Sequence, residues 1–255
     1  VGNQYPMWYT KMIYDGLTEA GEKDVVSLVR CAWAGSQRYG ALVWSGDIPS
    51  TFESFKIQIV CGLQMAMAGI PWWTTDIGGF HDGDIRDPKF QELLIRWFQY
   101  GAFCPVMRLH GHRSPYKAPL GKTGGGRCAS GAENEIWSYG EENYEIMKKY
   151  IELREELRPY TRRLMKEASE TGAPVMRPLF YQFPEDEKAW EIKDQFLFGD
   201  QYLVAPVTEY GQRKREVYLP AGASWTEQST GKTYEGGRTV TADAPLDVIP
   251  VFVKQ

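Results

Sequence analysis

Four polar side chains stand directly after short apolar runs. They are Arg30 after Asp24–Val29, Asp47 after Gly40–Trp44, Asp76 after Gly69–Trp73 and His110 after Phe103–Leu109. Two carboxyl groups, a guanidinium and an imidazole are the set that sugar chemistry uses: proton transfer to a leaving oxygen, activation of water, and bidentate hydrogen bonds to hydroxyls. Each also has a plainer reading. An aspartate ahead of a helix is ordinarily an N-cap or loop residue. Ser50 and Thr51 stand nearer the expected helix start and can take that cap, which frees Asp47. Trp44 offers an apolar neighbour able to keep a carboxyl protonated.

Asp76 lies in Trp72-Trp-Thr-Thr-Asp-Ile-Gly-Gly-Phe80, where paired glycines permit positive φ and a close backbone approach. It is equally readable as a structural turn residue and as an ionised acceptor for hydroxyls. His110, in Arg108-Leu-His-Gly111, fits a packed loop histidine as well as a ligand contact. His112 follows two residues later, but no third ligand accompanies the pair, so no metal is expected. Arg30 reads as either an ion-pair partner or a substrate contact.

The elements that must position these residues alternate. Asp24–Arg30, Gly40–Trp44, Gly69–Trp73 and Phe103–Leu109 read as strands, with helices at Thr51–Ala68 and Pro88–Tyr100 and a longer one from Glu141 to Ser169. Strands alternating with helices imply a parallel sheet with right-handed crossovers. Four strands cannot close a barrel, so the expectation is the C-terminal half of a (β/α)8 barrel over residues 1–172. Catalytic groups of such barrels stand at the C-terminal strand ends. The stretch between Arg30 and Asp47 is too short for a full crossover helix, so that connection must be abbreviated. A Gly-rich excursion over about 112–134 reads as a flexible barrel-top loop. From about Pro174 short extended runs separated by Gly, Pro, Asp and Thr imply a small all-β sandwich over 173–255.

Bulk properties exclude several functions. The chain has 255 residues, 29 Lys and Arg against 33 Asp and Glu, and a formal charge of −4, with no basic block for nucleic acid. No apolar run is long enough to span a membrane. Nine Trp and fifteen Tyr beside Gly, Asp and Arg suit sugar stacking, although aromatic-rich cores are common. The four cysteines form no CxxC pair; Cys31, Cys61 and Cys104 lie in apolar segments and, with Cys128, read as small core residues. The chain opens on Val-Gly-Asn-Gln-Tyr-Pro, without an initiator Met, as though entered in mid-domain. No targeting signal can be read, and localisation stays open.

The ordered series Arg30-Cys-Ala-Trp-Ala-Gly-Ser-Gln-Arg-Tyr-Gly, Trp44-Ser-Gly-Asp47, Trp73-Thr-Thr-Asp-Ile-Gly-Gly-Phe80 and Arg108-Leu-His-Gly111 resembles glycoside hydrolase family 31. Arg158-Pro-Tyr160 and Phe198-Gly-Asp-Gln-Tyr-Leu-Val-Ala-Pro206 extend the resemblance along essentially the whole chain. It implies a retaining, exo-acting α-glycosidase for oligosaccharide or glycoside substrates, working without a cofactor. Asp47 would be its general acid/base, and Arg30, Asp76 and His110 its sugar contacts, with Trp44, Trp73 and Phe80 walling the pocket. The family's nucleophilic aspartate stands on an earlier strand and has no counterpart motif here, so the preceding half of the enzyme is the implied partner and the chain alone is expected to be inactive. Trp-Thr-Thr-Asp resembles the α-xylosidase branch; the α-glucosidase branch is the alternative. The rival class is a non-catalytic carbohydrate-binding or inert fragment. A half barrel would expose sheet edges and favour self-association.

Overall fold

In the computed structural model, which describes residues 2–255, a helix α1 (Tyr5–Glu19) precedes two short strands, β1 (Ser27–Val29) and β2 (Ala41–Trp44). Helix α2 (Phe52–Met67) follows, then strands β3 (Trp73–Thr74) and β4 (Gly83–Asp84) and helix α3 (Pro88–Ala102). β1, β2 and β3 form one parallel sheet with Val29 beside Val43 and Val43 beside Trp73. Successive side chains of a strand face opposite ways. Val29, Val43 and Trp73 accordingly join one apolar core with residues of α2 and α3, whereas Leu28, on the opposite pleat, is 41% exposed. That second face turns to the barrel interior.

The connection from β1 to β2 is a single 3-10 turn, Ser36–Tyr39, entered and left through Gly35 (φ 102°) and Gly40 (φ 67°). Helix α2 begins where Thr51 accepts a hydrogen bond from the Ser54 amide at 3.0 Å, and α3 where Asp87 accepts from the Lys89 amide at 2.9 Å. Thr51 therefore takes the cap and Asp47 is left free of it. Strand β5 (Arg113–Ser114) pairs with β4 in a parallel two-stranded ribbon above the sheet.

Several expected elements are revised. The Gly69–Trp73 strand starts only at Trp73, because Gly69 (φ 78°) and Ile70 still close α2 through bonds to Ala66 O and Met65 O. Phe103–Leu109 runs beside β3 without forming a regular strand; Pro105 has no amide to donate, leaving Val106 N–H to Trp73 O and Ile77 N–H to Arg108 O, each 3.2 Å. The expected helix from Glu141 to Ser169 is two, α4 (Glu141–Glu156) and α5 (Arg158–Thr171). Pro159 lacks the donor and crowds the carbonyl four residues back, which breaks the ladder at Leu157. Helix α1 was not anticipated. Of the cysteines only Cys104 is buried; Cys61 is half-buried, and Cys31 and Cys128 lie in loops and are exposed.

The remaining elements are β6 (Met176–Arg177), one helical turn α6 (Leu179–Gln182), β7 (Phe196–Phe198), β8 (Tyr202–Val204) and β9 (Lys214–Leu219). They continue with β10 (Ser224–Glu227), β11 (Thr233–Glu235), β12 (Arg238–Asp243) and β13 (Val251–Lys254). Six of these strands form an antiparallel sheet in the order β11-β10-β13-β8-β7-β6, and β9 with β12 forms a second layer. The sheet is apolar on both faces. Phe196, Phe198, Val204 and Val251 enter the core shared with the barrel helices, while the alternate residues Leu197, Leu203 and Phe252 enter a second core with Val217, Leu219 and Ala242. The chain is thus the C-terminal half of a barrel followed by a β-sandwich whose larger sheet is a wall common to both cores.

Polar groups clasp this wall. The Arg96 side chain on α3 is fully buried and donates to the carbonyls of Gln212 (3.1 Å), Ala244 (2.8 Å), Pro245 (3.0 Å) and Val248 (2.9 Å). Tyr150 on α4 adds its hydroxyl to Asp247 O at 3.0 Å and accepts from the Ile249 amide at 3.1 Å.

Candidate functional site

The site assembles where the chain leaves the C-terminal ends of the parallel strands. After β2, Gly46 (φ 79°) turns the backbone and delivers Asp47 to the surface. Its carboxylate pairs with Arg30, at the end of β1, over 2.9 Å. Trp44 was expected to be the apolar neighbour of Asp47. Its ring is instead approached by two guanidinium groups, those of Arg30 at 5.3 Å and Arg108 at 5.9 Å from ring centroid to Cζ. Aromatic faces carry negative potential, so one indole braces the cations that hold both carboxylates of the site.

Asp76 follows β3 and is completely buried. One carboxylate oxygen is paired with Arg108; the other has no hydrogen-bond partner among the described residues. Burial pushes its carboxyl up, Arg108 and then His110 pull it back, and Asp47 adds a smaller upward push. The mutual influence of Asp47, Asp76 and His110 places them at one end of the sheet.

The loops that carry these groups are stitched together. The amides of Phe80 and His81 donate to Ile48 O at 2.7 and 3.1 Å, and the Ser50 amide donates to His81 O at 2.8 Å. The approach requires Gly79, whose φ is 76° and where an added Cβ would lie 2.7 Å from Pro49 O. Beneath the turn Arg113, fully buried, donates to Gly79 O at 2.8 Å, Ile77 O at 3.1 Å and Asn134 Oδ1 at 3.0 Å. Phe80 and His110 meet with ring centroids 5.5 Å apart. His112 turns elsewhere, against Tyr116 at 4.6 Å.

Arg30, Trp44, Asp47, Asp76, Phe80 and His110 are therefore brought together. Trp73 is not. It is 4% exposed on the helix-facing side of the sheet, so close to α2 that a Cβ at Gly62 would lie 2.7 Å from its indole nitrogen. The strand period explains this: Trp73 shares a pleat with Val43, whereas Trp44 lies beside Thr74 on the other. Two arginines were missed by the residue-level reading. Arg108 alternates with His110 across Leu109, a spacing that could have put both on one face. Arg113 gives little local signal, because Asn134 Oδ1, Gly79 O and Ile77 O lie 21 to 36 positions away and only His110 O is near in sequence.

A groove of about 230 Å³ opens beside Arg30 and Trp44, its lining including Tyr5, Tyr9, Leu28 and Val29. Rings and a guanidinium around an open groove, with the Asp47 carboxylate held on that guanidinium, can take a polyhydroxylated ring by stacking and by hydrogen bonds.

Comparison with known proteins agrees with this geometry. Residues 1–164 match the family model described as the glycosyl hydrolases family 31 TIM-barrel domain, and residues 172–255 match that of the family 31 C-terminal domain. The α-xylosidase of Saccharolobus solfataricus is 37% identical over 99% of this chain, and α-glucosidase 2 of Bacillus thermoamyloliquefaciens is 36% identical over 99%. The chain spans 32% and 29% of the lengths of these two relatives. A family 31 α-xylosidase from a soil metagenome, solved with xylose, superposes with a TM-score of 0.96 at 60% identity, covering all of this chain and 38% of that one. The chain belongs to glycoside hydrolase family 31.

Proposed function

We propose that residues 1–172 carry the acid/base half of the active site of a retaining, exo-acting α-glycosidase that removes terminal non-reducing α-linked sugars, α-xylosides by preference. The observation that carries this reading is the linked pair of carboxylates: exposed Asp47 on Arg30, and buried Asp76 on Arg108, joined through Trp44. Asp47 protonates the glycosidic oxygen while a second carboxylate attacks C1, and then takes a proton from the water that releases the sugar. The nucleophile is supplied by a barrel strand outside these residues; relatives about three times as long as this chain support that placement. Asp76, His110 and Arg30 take sugar hydroxyls, with Trp44 and Phe80 as walls. Residues 173–255 buttress the helices behind the site. An α-glucosidase is the second reading, favoured by the matching identity to the Bacillus enzyme.

The test uses the full-length protein that carries this chain, assayed on paired α-xylosides and α-glucosides. Asp47→Ala is expected to lose about 10²–10⁴-fold on unactivated substrates and much less on an aryl glycoside with a good leaving group. An equal loss on both, or none, would sink the acid/base role. The faster of the two sugars decides the substrate, and an inert wild-type protein that still binds sugar would support the non-catalytic reading instead. The chain alone is expected to show no turnover.

A further inference from the structure

Asp76 presents an arrangement that its turn does not require. Its carboxylate is completely buried, yet only one oxygen is paired, and that pair is with Arg108, whose side chain is 24% exposed. An unpaired buried acceptor is costly unless a donor arrives, and buried polar groups in proteins are seldom left so. Arg108 cannot swing freely to serve both oxygens, because its guanidinium also lies over Trp44. Nor does a backbone amide serve it, for that oxygen has no hydrogen-bond partner among the described residues. The unpaired oxygen therefore awaits a donor from outside the described residues.

We propose that Arg108 is a positioning residue: braced on Trp44 and paired with one oxygen of Asp76, it keeps that carboxylate ionised and its other oxygen open to accept a sugar hydroxyl. This rests on the reading of Asp76 as a substrate contact. The chemistry is selective for a donor in a fixed direction, since a carboxylate accepts and cannot donate. The charged groups around Asp76 come from several elements. Arg108 and His110 lie on the segment after α3, Asp47 after β2, Arg30 across Trp44 at the end of β1, and Arg113 on β5. Burial and Asp47 push the carboxyl up, and Arg108 is the largest force pulling it back.

Three variants separate the charge of Arg108 from its fork. In the full-length protein, Arg108→Met is expected to lower kcat/KM at neutral pH about 10–100-fold, a charged hydrogen bond's worth, and to move its acid limb to higher pH. Arg108→Lys keeps a point charge without the planar fork, so it should leave the acid limb near its wild-type position while raising KM. Combined with Asp76→Asn, Arg108→Met should no longer move the acid limb, which the attacking carboxylate then sets alone. A merely structural Arg108 would lower kcat/KM in both variants with the acid limb unmoved, and that result overturns the proposal. Carbon-13 titration of Asp76 in the full-length protein, assigned by its loss in Asp76→Asn, gives a readout independent of turnover. An Asp76 midpoint no higher in Arg108→Met than in wild type overturns the proposal even if the wild-type protein hydrolyses nothing, whereas an inert protein with a raised midpoint overturns only the glycosidase reading.

Discussion

Replacing Arg96 by Met should uncouple the β-sandwich from the barrel helices. The guanidinium is fully buried, and burial draws it down to about 10, with Glu92 opposing. It serves four backbone carbonyls, those of Gln212, Ala244, Pro245 and Val248, at 2.8–3.1 Å. Each buried acceptor left unpaired costs about 1–3 kcal/mol, but loops relax and water enters. The lost cation also had its own desolvation cost. Breaking one side of a buried charged network therefore lands at about 3–5 kcal/mol. Glu92 keeps Arg213, at 2.5 Å, so no carboxylate is stranded. At about 2–4 °C per kcal/mol for a domain near this size, the melting temperature should fall by about 6–20 °C in differential scanning calorimetry. Hydrogen exchange should accelerate first in residues 244–249. A fall below about 3 °C, or exchange unchanged there, would refute the reasoning; Arg96→Lys should fall between.

The two tryptophans should part ways. Trp73→Ala is expected to lower stability by about 3–5 kcal/mol while sugar binding by the folded protein survives, whereas Trp44→Ala should weaken binding with little loss of melting temperature. Gly79→Ala combines a φ of 76° with a Cβ 2.7 Å from Pro49 O, and should cost about 2–4 kcal/mol by chemical denaturation. The pH dependence of stability should show Asp76. Because its folded value is raised, chiefly by burial, it contributes stability below the ordinary aspartate value of about 4 that is lost as pH rises through the folded value. Asp76→Asn should therefore gain on wild type over that window in melts at successive pH values, and a flat difference would contradict it.

What could be read from sequence was local. Thr51 as a cap, the abbreviated link between β1 and β2, and the change to short strands after Pro174 each follow from residues within a few positions of one another. Strand ends also located Arg30, Asp47, Asp76 and His110 without any partner being known. The errors were of two kinds. Pro105 and Pro159 were visible signals, but apolar spacing outweighed them, so a strand and one long helix were expected where the backbone lacks its donors. Trp73 was assigned by its neighbours in sequence rather than by its pleat, which puts it behind the sheet. Arg96 and Arg113 could not be found locally, because most of their partners are loops and turns set by tertiary structure, whereas the Arg108–His110 spacing was there to be read. Arg96 reaches acceptors 116 to 152 positions away.

The common wall also has a consequence in time. Phe196 and Val251 face the same core as Trp97, and Arg96 meets Val248 only when the last ten residues of this segment exist. At about 5–20 residues per second, a ribosome that has just made α3 needs roughly 7–30 s to reach Val248. Through that interval the helices behind the site have an apolar flank and an arginine without its acceptors. The half barrel can be threaded early, but it can be locked only from its far end.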